Sequence, residues 1–359
     1  MINLSILQAI LSAWKEACAW DGMGRILIPK ETFIVGPLVL KGPCKGPIVF
    51  QLKGVMKAHT DLSIFKSDVW IEFQYVKGLL VTGGGTLDGQ GASAWPHNQC
   101  PKNFKCKILP TSLKLSFVTD ATVQGISSIN SKFFHMNIFG SKNIKLQAVN
   151  ISAPDESPNT DGIHIGSSSG IKISRSIIGT GDDCISLGPG SSNVSISNIF
   201  CGPGHGISVG SLGKYPNEED VVGLTVRNCT FTGTTNGLRI KTWEASPAST
   251  TASSFTFDDI VMNNVYNPII IDQEYCPYKS CNLETPSRVK IDNVSFKNIR
   301  GTSSSQVAVN ILCSKGVPCQ NVKLIDINLA YIVQGVAATA ACANVRGTSS
   351  GLQIPPSCI

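Results

Sequence analysis

The sequence predicts an all-β chain wound as a parallel β-helix, a solenoid opened by a short capping helix. Three observations predict it: a recurring strand-turn-strand unit, a glycine-rich composition poor in charge, and a single amphipathic helical stretch at the N-terminus. Of 359 residues, 42% are hydrophobic and only 15% charged, with 34 glycines. That supports a large core and excludes a disordered chain. A first apolar-x-apolar triplet recurs as Ile144–Leu146, Ile171–Ile173, Val194–Ile196, Leu224–Val226, Phe255–Phe257, Val289–Ile291 and Val322–Leu324. A second follows within the units, at Ile163–Ile165, Ile185–Leu187, Ile207–Val209, Leu238–Ile240 and Ile269–Ile271. Gly, Asn and Ser turns separate the triplets without helical periodicity, so a helical solenoid is excluded. A two-sheet sandwich tolerates the strand count but does not explain a repeated unit. Each unit therefore reads as one coil, stacked on the next at about 4.8 Å.

Taken in order, residues 4–19 read as an amphipathic helix with Leu7, Ile10, Leu11, Trp14 and Cys18 on one face. It is the natural cap for an end of the stack, whose open edge would otherwise pair with other chains. No linker or composition break follows, so residues 1–359 are expected to form a single domain. Residues 243–254, rich in Ser, Thr and Ala, read as a surface loop.

Thirteen cysteines without a CxxC spacing point to disulfides in an oxidising compartment rather than to zinc or thioredoxin-like chemistry. Short-range pairing gives Cys100 with Cys106, Cys184 with Cys201, Cys276 with Cys281, Cys313 with Cys319 and Cys342 with Cys358. If Cys18 pairs with Cys44, Cys229 is left over. Five N-x-S/T sequons, at Asn3, Asn150, Asn193, Asn228 and Asn293, fit a secreted protein. Met1–Trp20 does not read as a secretory signal: either a leader is missing from this sequence, which the cysteines favour, or the protein stays inside the cell. No transmembrane segment is predicted. The net charge of +6 is mildly basic, with no Lys/Arg-rich run of the kind that binds nucleic acid. A monomer without nucleic-acid or membrane partners is expected.

Aligning the second triplets brings unusual residues into one column. Two places before the first apolar residue stand Asp161, Asp183, His205 and Asn236, with Asn267 in the next coil and Asp182 one place before Asp183. Between the apolar pairs stand His164, Ser186, Ser208 and Arg239, and Lys241 follows Ile240. Singly, each is an ordinary turn or surface residue. Together, three carboxylates, an imidazole and two cations on successive coils form the constellation a hydrolase needs, because crowded carboxylates titrate apart into acid and base. Strict strand alternation would point Asp161 inward with Ile163, unless Gly162 and Gly206 break it or these residues belong to turns. Signatures of zinc proteases, P-loops, dinucleotide folds and nucleophile elbows are absent from the sequence.

Asn159-Thr160-Asp161-Gly162, Gly181-Asp182-Asp183-Cys184, Gly204-His205-Gly206 and Arg239-Ile240-Lys241, all present and in order, resemble the four signature motifs of the polygalacturonases. These are pectin-cleaving glycoside hydrolases with a right-handed parallel β-helix. Asp272-Gln-Glu-Tyr-Cys276 and Gly202-Pro-Gly-His-Gly206 are similar to segments of the plant exopolygalacturonases of the pollen type. The resemblance implies hydrolysis of α-1,4 bonds between galacturonate units, with inversion. It assigns Asp182 as general acid, Asp161 and Asp183 to the water, and His205 to setting the acid's protonation. It assigns Arg239 and Lys241 to a substrate carboxylate, and Asn159 and Tyr275 to substrate subsites. It implies no cofactor and no metal. The expectation is thus a secreted, exo-acting polygalacturonase whose substrate is de-esterified pectin. An endo-acting enzyme and a non-catalytic pectin-binding β-helix remain as alternatives.

Overall fold

The computed structural model describes residues 4–103, 105–277 and 284–359. The chain divides into two compact units, Met1–Asp182 and Asp183–Ile359, each described by itself below. Both are built from parallel strands stacked coil upon coil, the right-handed parallel β-helix that the repeat predicts.

In the first unit, the helix Leu4–Ala19 packs on the strands Gly24–Ile28 and Leu38–Lys41. Ile10 and Trp14 are buried, and the Trp14 Nε1–H donates to the Lys41 carbonyl at 3.0 Å. Leu11, expected on the packed face, is 39% exposed. The stripe that is covered runs through Ile10 and Trp14, one helical turn apart, and Leu11 falls beside it. Successive coils place Leu38, Ile71, Leu113, Met136 and Ile163 in one register, and Leu40, Phe73, Leu115, Ile138 and Ile165 in another. All ten are essentially buried. Like side chains thereby stack on like, and the apolar interior is continuous along the unit.

In the second unit, Ile185, Ile207, Leu238, Ile269 and Val309 share a register. On the other sheet, Leu224 pairs with Phe255, Phe255 with Val294, and Val294 with Val322. This displaces one expected unit: the coil after Phe255 is led by Val294, not Val289. The strand Lys290–Ser303 repeats the same alternation, so the sequence offers both registers. Packing selects one, with the rings of Phe257 and Phe296 stacked at 5.0 Å and 10° between planes. The expected loop 243–254 is shorter than predicted, since Trp243 ends one strand and Thr251 begins the next, with Ala252 fully buried.

Five of the expected disulfides are present: Cys18–Cys44, Cys100–Cys106, Cys184–Cys201, Cys313–Cys319 and Cys342–Cys358. Cys229 is a buried free thiol. The expected pair of Cys276 with Cys281 involves a residue outside those described, as does the sequon at Asn3. No helix among the described residues is long and apolar enough to cross a membrane.

Candidate active site

In the first unit, the Asn159–Asp161 segment precedes the strand and is not part of it. The strand begins only at Ile163. The turn is tied to itself by Ser157 and Thr160, whose hydroxyls are 2.6 Å apart, and Thr160 Oγ1 donates to the Ser157 carbonyl at 3.0 Å. The same Thr160 oxygen accepts the Gly181 N–H of the next coil at 3.0 Å. A Cβ on Gly181 would stand 2.1 Å from the Ser157 oxygen, so only glycine allows the two turns to approach this closely. The consequence appears beside it: Asn159 Nδ2–H donates to Asp182 Oδ2 at 3.3 Å. Asn159 itself sits at φ 54°, a conformation asparagine tolerates. Asp161 is 6% exposed, and its carbonyl accepts the His135 N–H at 2.8 Å. His164, on the following strand, stacks its ring on Phe134 at 4.8 Å.

The second unit opens with Asp183, whose side chain is 2% exposed. Ser208 Oγ–H donates to Asp183 Oδ1 at 2.6 Å, and Lys241 Nζ donates to Oδ2 at 2.8 Å. Ser186, Ser208 and Arg239 share one register, as the aligned column predicts. Asp183 and His205 each bring a side-chain O or N atom within 4.8 Å of the other. His205 lies between Gly204 and Gly206. Gly206 has φ 83°, and its Cβ would fall 2.1 Å from the Asn236 carbonyl. Only a residue without a Cβ adopts that turn, and the turn brings the imidazole beside the carboxylate.

The cations gather around one ring. The Arg239 guanidinium lies 5.1 Å from the Tyr275 centroid and the Lys241 ammonium 5.5 Å from it, while Trp243 meets Tyr275 edge-on at 5.4 Å. Arg239 Nε is buried without a hydrogen-bond partner among the described residues, a donor poised for an acceptor that those residues do not supply. Lys241 faces Asp272 across the ladder. Burial pushes the Asp272 carboxyl up from the ordinary aspartate range, against the opposing pull of Arg239 and Lys241.

The structure thus gathers Asn159, Asp161 and Asp182 on adjoining turns of the first unit, and Asp183, His205, Arg239, Lys241 and Tyr275 in the second. Lys241, assigned by resemblance to a substrate carboxylate, is hydrogen-bonded to a carboxylate of the protein itself. Ser208 was not singled out in the sequence, although its place beside Arg239 in the column was signal enough. Trp243 carries no such signal, because it only extends a strand of the repeat, whereas Asp272 stands in the segment Asp272–Cys276 that the resemblance marks.

Comparison with known proteins places this geometry in a family. The chain is 53% identical to an exopolygalacturonase of Platanus acerifolia over 351 residues, covering 98% of this chain and 93% of the relative. It is 52% identical to an exopolygalacturonase of Oenothera organensis, covering 98% and 97%. Among solved structures, the endo-xylogalacturonan hydrolase of Aspergillus tubingensis shares the fold with a TM-score of 0.83 at 23% identity, covering 98% of this chain and 96% of that one. The model of glycosyl hydrolases family 28 matches residues 18–352, and the chain with its paired and buried aspartates belongs to that family.

Proposed function

We propose that this chain hydrolyses the α-1,4 bonds of de-esterified polygalacturonate, with inversion, releasing units from a chain end outside the cell. The observation that carries the chemistry is the hydrogen bond from Asn159 to Asp182, which joins the Asn-Thr-Asp-Gly turn to the Gly-Asp-Asp turn. The 53% and 52% identities to proteins named exopolygalacturonase support the substrate and the exo mode, and the five disulfides support an extracellular setting.

In this reading, Asp182 protonates the leaving glycosidic oxygen. Asp161 and Asp183 orient a water on the opposite face of the sugar and take its proton. An inverting pair must stand about 6.5–9.5 Å apart to admit that water. Ser208 and Lys241 fix the rotamer of Asp183, so its oxygens are aimed before substrate arrives. His205 adjusts the proton distribution of the carboxylates. Arg239, with its unpartnered buried Nε–H, grips the carboxylate of the adjoining galacturonate, and Tyr275 backs the guanidinium. A methyl ester carries no negative charge and accepts only a weaker bond from the guanidinium, so esterified pectin is a poor substrate.

Asp182→Asn tests the assignment. Reducing-end release from polygalacturonate should fall by at least about 10²–10⁴-fold, with thermal unfolding unchanged. Hydrolysis near the parent rate would refute Asp182 as the acid. Monomer release with slow thinning of a polygalacturonate solution supports the exo mode; a ladder of oligomers with fast thinning refutes it.

A further inference from the structure

We propose that Asn98 is a positioning residue that fixes the amide of Asn159, so that its N–H, and not its oxygen, meets the carboxylate of Asp182. The inference rests on the reading of Asp182 as the acid and adds a residue that the four motifs do not contain.

Asn98 projects from a segment of two short 3₁₀ turns, Gly91–Ser93 and Trp95–His97. That segment is pinned on several sides. Ala94 is fully buried in a cluster with Leu109 and Phe133. Trp95 Nε1–H donates to the Ser131 carbonyl at 2.9 Å, and the Asn98 N–H to the Trp95 carbonyl at 3.1 Å. The Cys100–Cys106 bridge closes the loop immediately after. Asn98 is 7% exposed and therefore held in place by packing as well as by hydrogen bonds.

Its side-chain amide has one permitted orientation. Oδ1 accepts the Cys100 N–H at 2.9 Å, while Nδ2 donates to the Pro158 carbonyl at 3.2 Å and to Asn159 Oδ1 at 3.1 Å. Turned over, Asn98 would set oxygen against the Pro158 oxygen and nitrogen against the Cys100 N–H. Both contacts are repulsive, and both are shielded from water. The orientation is thus imposed by two backbone groups that cannot change role. It passes to Asn159, whose two amide ends are nearly alike in shape. With Oδ1 claimed by Asn98, Asn159 can present only Nδ2 to Asp182 Oδ2. A reversed Asn159 would set oxygen against carboxylate oxygen. With an N–H at Oδ2, which disfavours a proton there, the reading of Asp182 as the acid makes Oδ1 the oxygen that delivers the proton. The relay therefore selects which oxygen delivers the proton, as well as where the carboxyl sits.

The experiment uses the full chain and two variants. Asn98→Asp keeps the acceptor for Cys100 and the shape of the side chain, but removes the donor to Asn159 and to the Pro158 carbonyl. Asn98→Ala removes both. On polygalacturonate we expect Asn98→Asp to lose about 10- to 100-fold in kcat with KM within about twofold, as a misplaced acid should. Loss of an N–H donor to the carboxyl raises its pKa, so the alkaline limb of the rate profile should move up by about one pH unit. Placed on an Asn159→Ala background, Asn98→Asp should cost nothing further, because its only route to the acid is gone. If Asn98→Ala fails to fold, the isosteric Asp variant and its melting temperature decide alone. A folded Asn98→Asp enzyme with parent kcat and parent pH limb overturns the proposal. Losses that multiply with those of Asn159→Ala, or a rise in KM at constant kcat, overturn it as well. If Asp182→Asn proves active, it is the acid assignment that has failed; if Asp182→Asn is dead and Asn98→Asp is unaffected, only the relay has.

Discussion

Lys241→Met should destabilise the protein far more than the removal of a surface lysine. Lys241 Nζ lies 2.8 Å from Asp183 Oδ2, with side chains 9% and 2% exposed. An exposed pair of this kind contributes at most about 1 kcal/mol. A buried one behaves differently when broken from one side. The carboxylate left behind has lost the ammonium at 2.8 Å and, at 2% exposure, cannot regain its hydration shell. The expected cost is about 3–5 kcal/mol, most of it the penalty of the stranded carboxylate and not the intrinsic strength of the pair. Equilibrium unfolding in urea at neutral pH measures it. The double variant Lys241→Met/Asp183→Leu removes both charges and should recover a large part of the loss, giving a coupling energy of a few kcal/mol. Two results would refute this reasoning: a Lys241→Met protein within about 1 kcal/mol of the parent, or single losses that add in the double variant. Unchanged stability with a raised KM would instead make Lys241 the direct substrate contact that the motif suggests.

Two further predictions concern buried titratable groups. His135 is fully buried with Nδ1 2.9 Å from Ser128 Oγ, and burial pushes its pKa down to about 3. The unfolded chain takes up this proton near pH 6.5 and the folded chain does not, so stability falls as pH drops from 6.5 towards 3, by up to about 1.4 kcal/mol per pH unit. His135→Gln should flatten that part of an unfolding-energy profile, and an identical slope would count against the assignment. Cys229 is buried, with its thiol pushed up to about 12 by burial. The native protein should leave it unlabelled by a charged disulfide reagent at pH 8 and react only on denaturation, whereas rapid native labelling would show an open site.

The coils were legible because each apolar-x-apolar triplet must bury the same face, and stacking repeats that demand at every turn. Legibility failed where two registers satisfy the rule equally, as at Val289 and Val294, and there the Phe257–Phe296 contact decides. Part of the column was legible for the same reason: Ser186, Ser208 and Arg239 share one register, and Asn236 stands opposite Asn267. What no period encodes is orientation. Asp161 could be placed beside its strand but not assigned to turn or sheet until the Ser157–Thr160 hydroxyl contact was seen. The partner of Lys241 depends on the length of its side chain and on the depth of Asp183, neither of which has a sequence signature. Asn98 lies in a connection outside the repeat, and its role rests on the donor and acceptor sense of amides in three dimensions.

The Cys184–Cys201 bridge has one more implication. Cys184 directly follows Asp183 and Cys201 stands shortly before His205, so a single covalent tie, spanning 17 positions, holds the approach to both side chains. Newly made chain with its thiols still reduced lacks that clasp. The turns that carry Asp183 and His205 are therefore covalently joined only once both thiols have been oxidised, so completion of this part of the site follows the redox state of the surroundings.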